Sequence, residues 1–268
     1  MPDSPSLLID PRRLHELLAT AGDRFKLFAV AECVSTNTVL MQRAAGGAPS
    51  GTALVADRQS AGRGSRGRSW MSSPEASLTF SVLWRFSVGI ARLSGLSLAV
   101  GVAVVAALAR CGLRGVTLKW PNDVLYQDAK LGGILVELGG DGEASFAVAG
   151  IGLNLHLPEW ENDAAAALPP AALDQIAAAP TDRHVLLAAL LDELARVFDR
   201  FAIDGFAGLR EAWNACDAWR GRPVRLLRDG RVEKEGICAG ADVDGALLLH
   251  TANGPERCLS GDVSLRPR

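Results

Sequence analysis

The chain has 268 residues and a mass of 28.2 kDa, with 49% hydrophobic and 22% charged residues. That length holds one large domain or a large and a small one, and that composition excludes a disordered chain. The 28 basic and 30 acidic residues leave a net charge of −2, which excludes a chain-wide basic footprint for nucleic acid and confines any basic site to a local cluster.

Leu7 to Leu18 reads as a short amphipathic helix and Phe25 to Val34 as an apolar strand. Ser35-Thr36-Asn37-Thr38 suits a strand end and a helix N-cap, with Val39 to Ala45 as the helix. Thr52 to Asp57 is a second strand. Ser77 to Trp84 is a third, with Leu78, Phe80, Val82 and Trp84 on one face. Leu93 to Ala109 is uncharged between Arg92 and Arg110, at the short edge of a membrane span. Its Ala, Gly, Ser and Val content favours a buried helix. Val116 to Lys119 and Asp123 to Tyr126 read as short strands around a Trp120-Pro121-Asn122 corner, followed by strands Lys130 to Glu137 and Ala144 to Asn154. Residues 156–180, rich in Ala and Pro, read as a loop. Arg183 to Ile203 and Phe206 to Trp219 read as helices. From Gly221 onward short strands alternate with turn signals such as Arg228-Asp229-Gly230 and Asn253-Gly254, which predicts a small β-barrel or sandwich.

Cys33, Cys111, Cys216, Cys238 and Cys258 are scattered and form no CxxC pair, which predicts a reducing, cytoplasmic setting without disulfides or zinc. His15, His156, His184 and His250 form no ligand pair. The N-terminus lacks a basic segment followed by a long apolar one, so no secretory signal is expected.

Two segments carry chemistry. Gly62-Arg63-Gly64-Ser65-Arg66-Gly67-Arg68 contains GxGxxG, but a strand follows it where a dinucleotide fold needs a helix. One reading is a solvated or RNA-binding RG segment. The other is an anion clamp, in which glycines admit the ligand and guanidinium forks hold phosphate or carboxylate. Lys119-Trp120-Pro121-Asn122-Asp123 with Lys130-Leu131-Gly132-Gly133-Ile134 sets two lysines and a carboxylate within twelve residues. Alone, Lys119 and Asp123 could be a surface ion pair and Trp120 core filling.

Together these segments resemble the biotin protein ligases. The resemblance is carried by Ser35-Thr36-Asn37, Gln59-Ser60-Ala61-Gly62-Arg63-Gly64, Arg66-Gly67-Arg68-Ser69-Trp70, the two lysine motifs as far as Glu137, and Gly150-Ile151-Gly152-Leu153-Asn154, in family order from about residue 28 to the end. It implies an α+β fold: a mixed β-sheet packed on helices, of the class II synthetase/biotin ligase-like type, over residues 1–219, and a small SH3-like β-barrel over 220–268. It implies activation of biotin with ATP and Mg²⁺ to biotinoyl-5′-adenylate, then transfer to a lysine of a biotin carboxyl carrier protein domain, usually of acetyl-CoA carboxylase.

Two anions, the biotin carboxylate and the α-phosphate, must meet, so cations must neutralise both, and more strongly in the transition state. By resemblance, Lys130, Asp123, Lys119 and Arg68 are the catalytic candidates. Ser35, Thr36, Asn37, Gln59, Arg63, Gly64, Ser65 and Lys130 are the biotin contacts. Arg63, Arg66, Arg68, Trp70, Lys119, Lys130, Asn154 and Arg222 are the ATP and adenylate contacts. Trp70 and Trp120 would wall the site. Asp123 could orient the incoming lysine, accept its proton or help hold Mg²⁺. The loop from His156 to Pro180, with Trp160, Leu168 and Leu173 as apolar covers, would order over the adenine.

The chain departs from the family in two places. Ser65 stands where many members carry a basic residue. One charge-assisted hydrogen bond is worth about 1.5–3 kcal/mol, and about 1.4 kcal/mol is tenfold in affinity. Weaker retention of the adenylate is therefore expected, unless Arg66 or Arg68 compensates. Only 34 residues precede Ser35, too few for a winged helix-turn-helix domain plus the first strand, so no specific DNA binding is expected. No membrane association is expected, and homodimerisation by sheet edges is compatible with the sequence. The alternatives are a lipoate or octanoate ligase or transferase, a protein that holds biotinoyl-adenylate without transferring it, and a barrel-centred interaction module.

Overall fold

The computed structural model describes residues 7–18, 22–140, 143–157, 168–261 and 263–268. Helix α1 covers Pro11–Leu17, shorter than its apolar pattern, because Pro11 suits the first helical position and the Asp10 carboxylate caps it by accepting from the Arg12 N–H at 2.9 Å. Strand β1 (Lys26–Cys33) leads into α2 (Thr36–Ala45) and then β2 (Thr52–Gln59), a parallel pair with α2 as its crossover. Strands β3 (Ser77–Phe86), β4 (Val116–Lys119), β5 (Asp123–Tyr126), β6 (Ala129–Gly140) and β7 (Ser145–Asn154) complete a seven-stranded sheet in the order β1-β2-β3-β7-β6-β5-β4. Every ladder after the first is antiparallel, so the sheet is mixed, as expected.

Helices α3 (Leu96–Arg110) and α4 (Arg183–Asp204) cover one face of the sheet, and α2 covers part of the other. Leu78, Phe80, Val82 and Trp84 all enter the main core, as their alternation predicts. The opposite face of β3 is not solvated, however: Leu83 packs with Leu40, Ala44, Leu54 and Val148 beneath α2. The segment Ile90–Arg110 is long and apolar enough to cross a membrane. Here it is a short 3₁₀ turn (Ile90–Leu93) followed by α3, broken at Gly95, whose φ of 78° a side chain would strain. Gly101 lets α3 lie close on the sheet, since a Cβ there would come 3.1 Å from both Leu118 methyls.

The expected helix from Phe206 to Trp219 divides at its glycines into a 3₁₀ turn (Gly205–Gly208) and α5 (Arg210–Cys216). The C-terminal strands β8 (Pro223–Arg228), β9 (Arg231–Ala241), β10 (Leu247–Thr251), β11 (Gly254–Cys258) and β12 (Val263–Pro267) form an antiparallel sheet ordered β11-β10-β9-β8-β12. Among the described residues β11 and β12 form no ladder with each other, so no closed barrel is found. Their apolar side chains, Val224, Leu226, Leu247, Leu249 and Leu265 among them, belong to the same continuous core as the large sheet. Trp120, fully buried, ties the two sheets by donating its indole N–H to the Gly245 carbonyl at 3.0 Å. It is thus a strut between sheets instead of the expected wall of the site.

Candidate functional site

A cavity of about 540 Å³ opens where β1 and β2 end and α2 begins, floored by β3, β7 and β6 and roofed by residues 63–71. At one end lies a buried polar cluster. Ser35 caps α2, its hydroxyl accepting from the Thr38 N–H at 3.5 Å. The Thr36 N–H and hydroxyl both donate to the Gln59 Oε1, at 2.8 and 3.2 Å, which leaves the Gln59 amide NH₂ as the donor this side chain has to offer. Ser81 of β3, which sequence reasoning missed, donates to Asn37 Oδ1 at 2.6 Å and lies 2.7 Å from Thr36 Oγ1. The Asn37 amide nitrogen donates to the Leu135 carbonyl at 3.1 Å and to Glu137 at 3.0 Å. Every polar atom of the Asn37 side chain is therefore engaged by protein, although Asn37 lines the cavity with Ser35, Thr36 and Gln59.

The glycine–arginine loop is a tight turn. The Gly64 N–H donates to the Arg68 carbonyl at 2.7 Å and the Trp70 N–H to the Gly62 carbonyl at 2.8 Å. A Cβ on Gly62 would lie 2.3 Å from the Trp70 carbonyl oxygen, so the closure needs glycine there. The three arginines diverge. Arg63 pairs with Glu137 at 2.9 Å. Arg66, in the left-handed region at φ 61°, donates to the Val263 carbonyl of β12 at 2.8 Å. Arg68 is held by Ser65, through its carbonyl at 3.3 Å and its hydroxyl at 3.2 Å. Arg63, Gly64, Ser65, Arg68 and Trp70 line the cavity, whereas Arg66 does not. Glu137 joins the loop to Asn37, a role the end of its motif did not suggest.

At the other end stand three charges. Lys119 and Asp123 are register partners across the β4–β5 hairpin, and a bulge between Val124 and Leu125 brings Lys130 of β6 alongside. Lys119 Nζ lies 2.6 Å from Asp123 Oδ2, and Lys130 Nζ lies 2.7 Å from Oδ1, an ion pair not aligned as a hydrogen bond. Burial alone would raise the Asp123 carboxyl, but the two ammonium groups outweigh it and hold it well below the usual carboxylate range. Burial pulls Lys119 down from the ordinary ammonium value, against the opposing pull of Asp123. Both oxygens of this carboxylate lie against ammonium groups, so it holds the two lysines together. Asp123 and Lys130 face the cavity, while Lys119 lies beneath them, 3% exposed. Trp70 lies over Gly152, where a Cβ would come within 2.4 Å of its indole. The Trp70 N–H is buried without a protein partner, and Lys130 Nζ is 5.9 Å from its ring.

Asn154 lines the cavity too, its amide donating to the carbonyls of Ala171 at 2.9 Å and Lys130 at 3.3 Å. The same stretch pairs with the Lys130 backbone and brings Leu168 and Pro170 to the cavity, while Leu173 goes into the core. Trp160 and the rest of 158–167 within the expected adenine loop lie outside the described residues. Arg222 does not line the cavity and instead pairs with Asp128 at 2.8 Å. Among the described residues no cluster of three His, Cys, Asp or Glu side chains could hold a metal ion.

Residues 30–154 match the biotin/lipoate A/B protein ligase family, and residues 221–266 match the biotin protein ligase C terminal domain. The bifunctional ligase/repressor BirA of Escherichia coli is 39% identical over 237 residues, covering 87% of this chain and 71% of that protein. The biotin--[acetyl-CoA-carboxylase] ligase of Mycobacterium tuberculosis is 37% identical over 264 residues, covering 95% of each chain. Among solved structures, the biotin protein ligase from Aquifex aeolicus in complex with biotin and ATP superposes with a TM-score of 0.77 at 31% identity, covering 91% of this chain and 99% of that one.

Proposed function

The chain belongs to the biotin protein ligases, and from that premise we infer that it activates biotin with ATP and transfers it to a lysine of a carrier protein. It is an enzyme, and its chemistry is adenylation followed by acyl transfer to an amine. One observation carries this reading to the residues: a single cavity has buried neutral hydrogen-bonding groups at one end and two ammonium groups around one carboxylate at the other.

The polar end suits the ureido ring of biotin, whose N–H and C=O groups need partners once buried. Gln59, its carbonyl fixed by Thr36, presents NH₂ to the ureido oxygen. Ser35 and Thr36 supply further hydroxyls, and Asn37 holds the shape of this end through Ser81 and Glu137. Lys130, the more exposed lysine of the pair, meets the biotin carboxylate and the α-phosphate where they approach, and stabilises the charge that builds as they react. Lys119 acts from beneath by fixing Asp123, which fixes Lys130. Arg68 and the loop backbone close over the mixed anhydride and keep water from it. Asp123 orients the amine of the incoming carrier lysine.

ATP and biotin are the co-substrates. Mg²⁺ would arrive on the ATP phosphates with its own waters. Among the described residues the cavity offers it no free carboxylate, and no step here depends on it. The carrier is a biotin carboxyl carrier protein domain of acetyl-CoA carboxylase, as the names of the relatives suggest. We place the division of the chain near 219/220 and read the C-terminal sheet as SH3-like: a four-strand meander, β8 to β11, with β12 returning to pair with β8, and register shifts at Leu226/Leu227 and Leu248/Leu249 that curve it. Five free cysteines support a reducing, cytoplasmic setting.

The test combines purified protein with ATP, Mg²⁺, biotin and a biotin carrier domain, omitting each in turn, and follows pyrophosphate and carrier mass. Pyrophosphate that requires ATP and biotin, with one biotin gained by the carrier, is expected. Lipoate used in preference to biotin would overturn the reading.

A further inference from the structure

Lys119 is almost wholly out of water, yet the one carboxylate it touches is shared with Lys130. Two cations on one anion leave an excess of positive charge, to which Arg266 of β12 adds by pulling Lys119 further down, and something else must hold it. The Trp219 ring lies on the other side of Lys119, with Nζ 5.4 Å from its centroid. This tryptophan, 1% exposed, comes from the segment joining the two sheets. That segment runs along β4: Leu118 bridges to Asp217, and the Ala218 N–H donates to the Leu118 carbonyl at 2.9 Å. The Trp219 indole N–H points the other way and donates to Asp128 Oδ1 at 3.0 Å. Asp128 sits in the β5–β6 turn at φ 62°, two residues before Lys130, and Arg222 grips the same carboxylate at 2.8 and 3.0 Å.

We propose that Trp219 is a positioning residue for the adenylation step, its ring fixing the Lys119 ammonium and its N–H fixing the turn that delivers Lys130. A ring face attracts a cation through its quadrupole, most strongly where water is excluded. Trp also adds an edge N–H donor to such a face. An aliphatic side chain would fill the volume and do neither. The geometry also gives Arg222 a task away from the nucleotide, since it holds the acceptor that Trp219 needs. This inference rests on the ligase reading of the cavity.

The test uses full-length Trp219→Phe, Trp219→Leu and Asp128→Gly, the last chosen because glycine tolerates the positive φ. Biotin- and ATP-dependent pyrophosphate release is measured across pH, with the biotin KM. Trp219→Phe keeps the ring and loses the N–H, so kcat should fall about three- to tenfold. Asp128→Gly should fall at least as far, since it also frees Arg222, and combining it with Trp219→Phe should lower kcat no further than Asp128→Gly alone, because the indole bond is then already gone. Trp219→Leu should lose about a hundredfold, as expected for a misplaced catalytic group. Its alkaline limb should also move to lower pH, because leucine keeps Lys119 dry but no longer offers the ring face that favours its charged form. The biotin KM should stay within about twofold throughout. Wild-type kcat in the Phe and Gly variants, multiplying losses in the double variant, or an unmoved alkaline limb in Trp219→Leu would each overturn the proposal. Should Trp219→Leu fail to fold, the two milder variants still decide. A wild-type protein that releases no pyrophosphate would instead sink the ligase reading.

Discussion

Asp123→Asn keeps the shape of the side chain and removes the negative charge that Lys119 and Lys130 share. Lys130, 28% exposed in its side chain, can turn towards water, but Lys119, at 2%, cannot. Losing one partner of an exposed pair costs under about 1 kcal/mol, whereas breaking a buried pair costs about 3–5 kcal/mol. Burial therefore assigns most of the loss to Lys119. At about 2–4 °C per kcal/mol for chains of this size class, the midpoint should fall by roughly 6–20 °C.

The pH dependence gives the argument its sign. Burial depresses Lys119, so the folded variant binds that proton less tightly than the unfolded chain, and its stability rises with pH until the unfolded lysine titrates near ~10.4. The deficit against wild type should shrink from pH 6 to pH 9. In wild type the Asp123 carboxyl is itself depressed. Its contribution is fully present above the unfolded value near ~3.9 and is lost only as the pH falls through the lower folded value. Urea unfolding of both proteins at pH 6 and pH 9 checks this. A deficit below about 1 kcal/mol at pH 6, or one that grows towards pH 9, would refute the reasoning.

Ser81→Ala leaves Asn37 Oδ1 buried without its donor, worth about 1–3 kcal/mol. Biotin should bind about five- to a hundredfold more weakly by calorimetry, with the ATP KM unchanged. Ser65→Arg should slow dissociation of the adenylate by about ten- to a hundredfold, and equal rates in the two proteins would dismiss the idea that this loop is weakened by its serine. Gly152→Ala places a Cβ within 2.4 Å of the Trp70 indole. It should displace that wall and lower adenylation by at least about tenfold, while the circular dichroism spectrum stays that of wild type.

The cluster of three charges was legible because its members are local. Lys119 and Asp123 face each other across one short hairpin, and Lys130 stands on the next strand. The destinations of Arg66 and Arg222 were not, because their partners lie 197 and 94 residues away and no local pattern marks them. Ser81 was hidden by the apolar alternation on the opposite face of β3. Ser77, Thr79 and Ser81 make a small polar stripe, each 3% exposed or less, that could have signalled a buried hydrogen-bonding surface. All five C-terminal strands could be read from their turns, but whether they close on themselves depends on edge pairing, which turn signals do not encode.

The apolar core does not stop where the large sheet ends. Phe206 and Gly245 press on Gly95 so closely that a Cβ at Gly95 would come 2.7 Å from Phe206, and one at Gly245 would come 2.7 Å from Gly95. Leu226, Leu247 and Leu265 share one cluster with α3 and α4. Two halves expressed separately would each bare a greasy face that water disfavours. The chain should accordingly melt in one calorimetric step, and a nick near residue 220 should leave the fragments clinging together as a complementing pair.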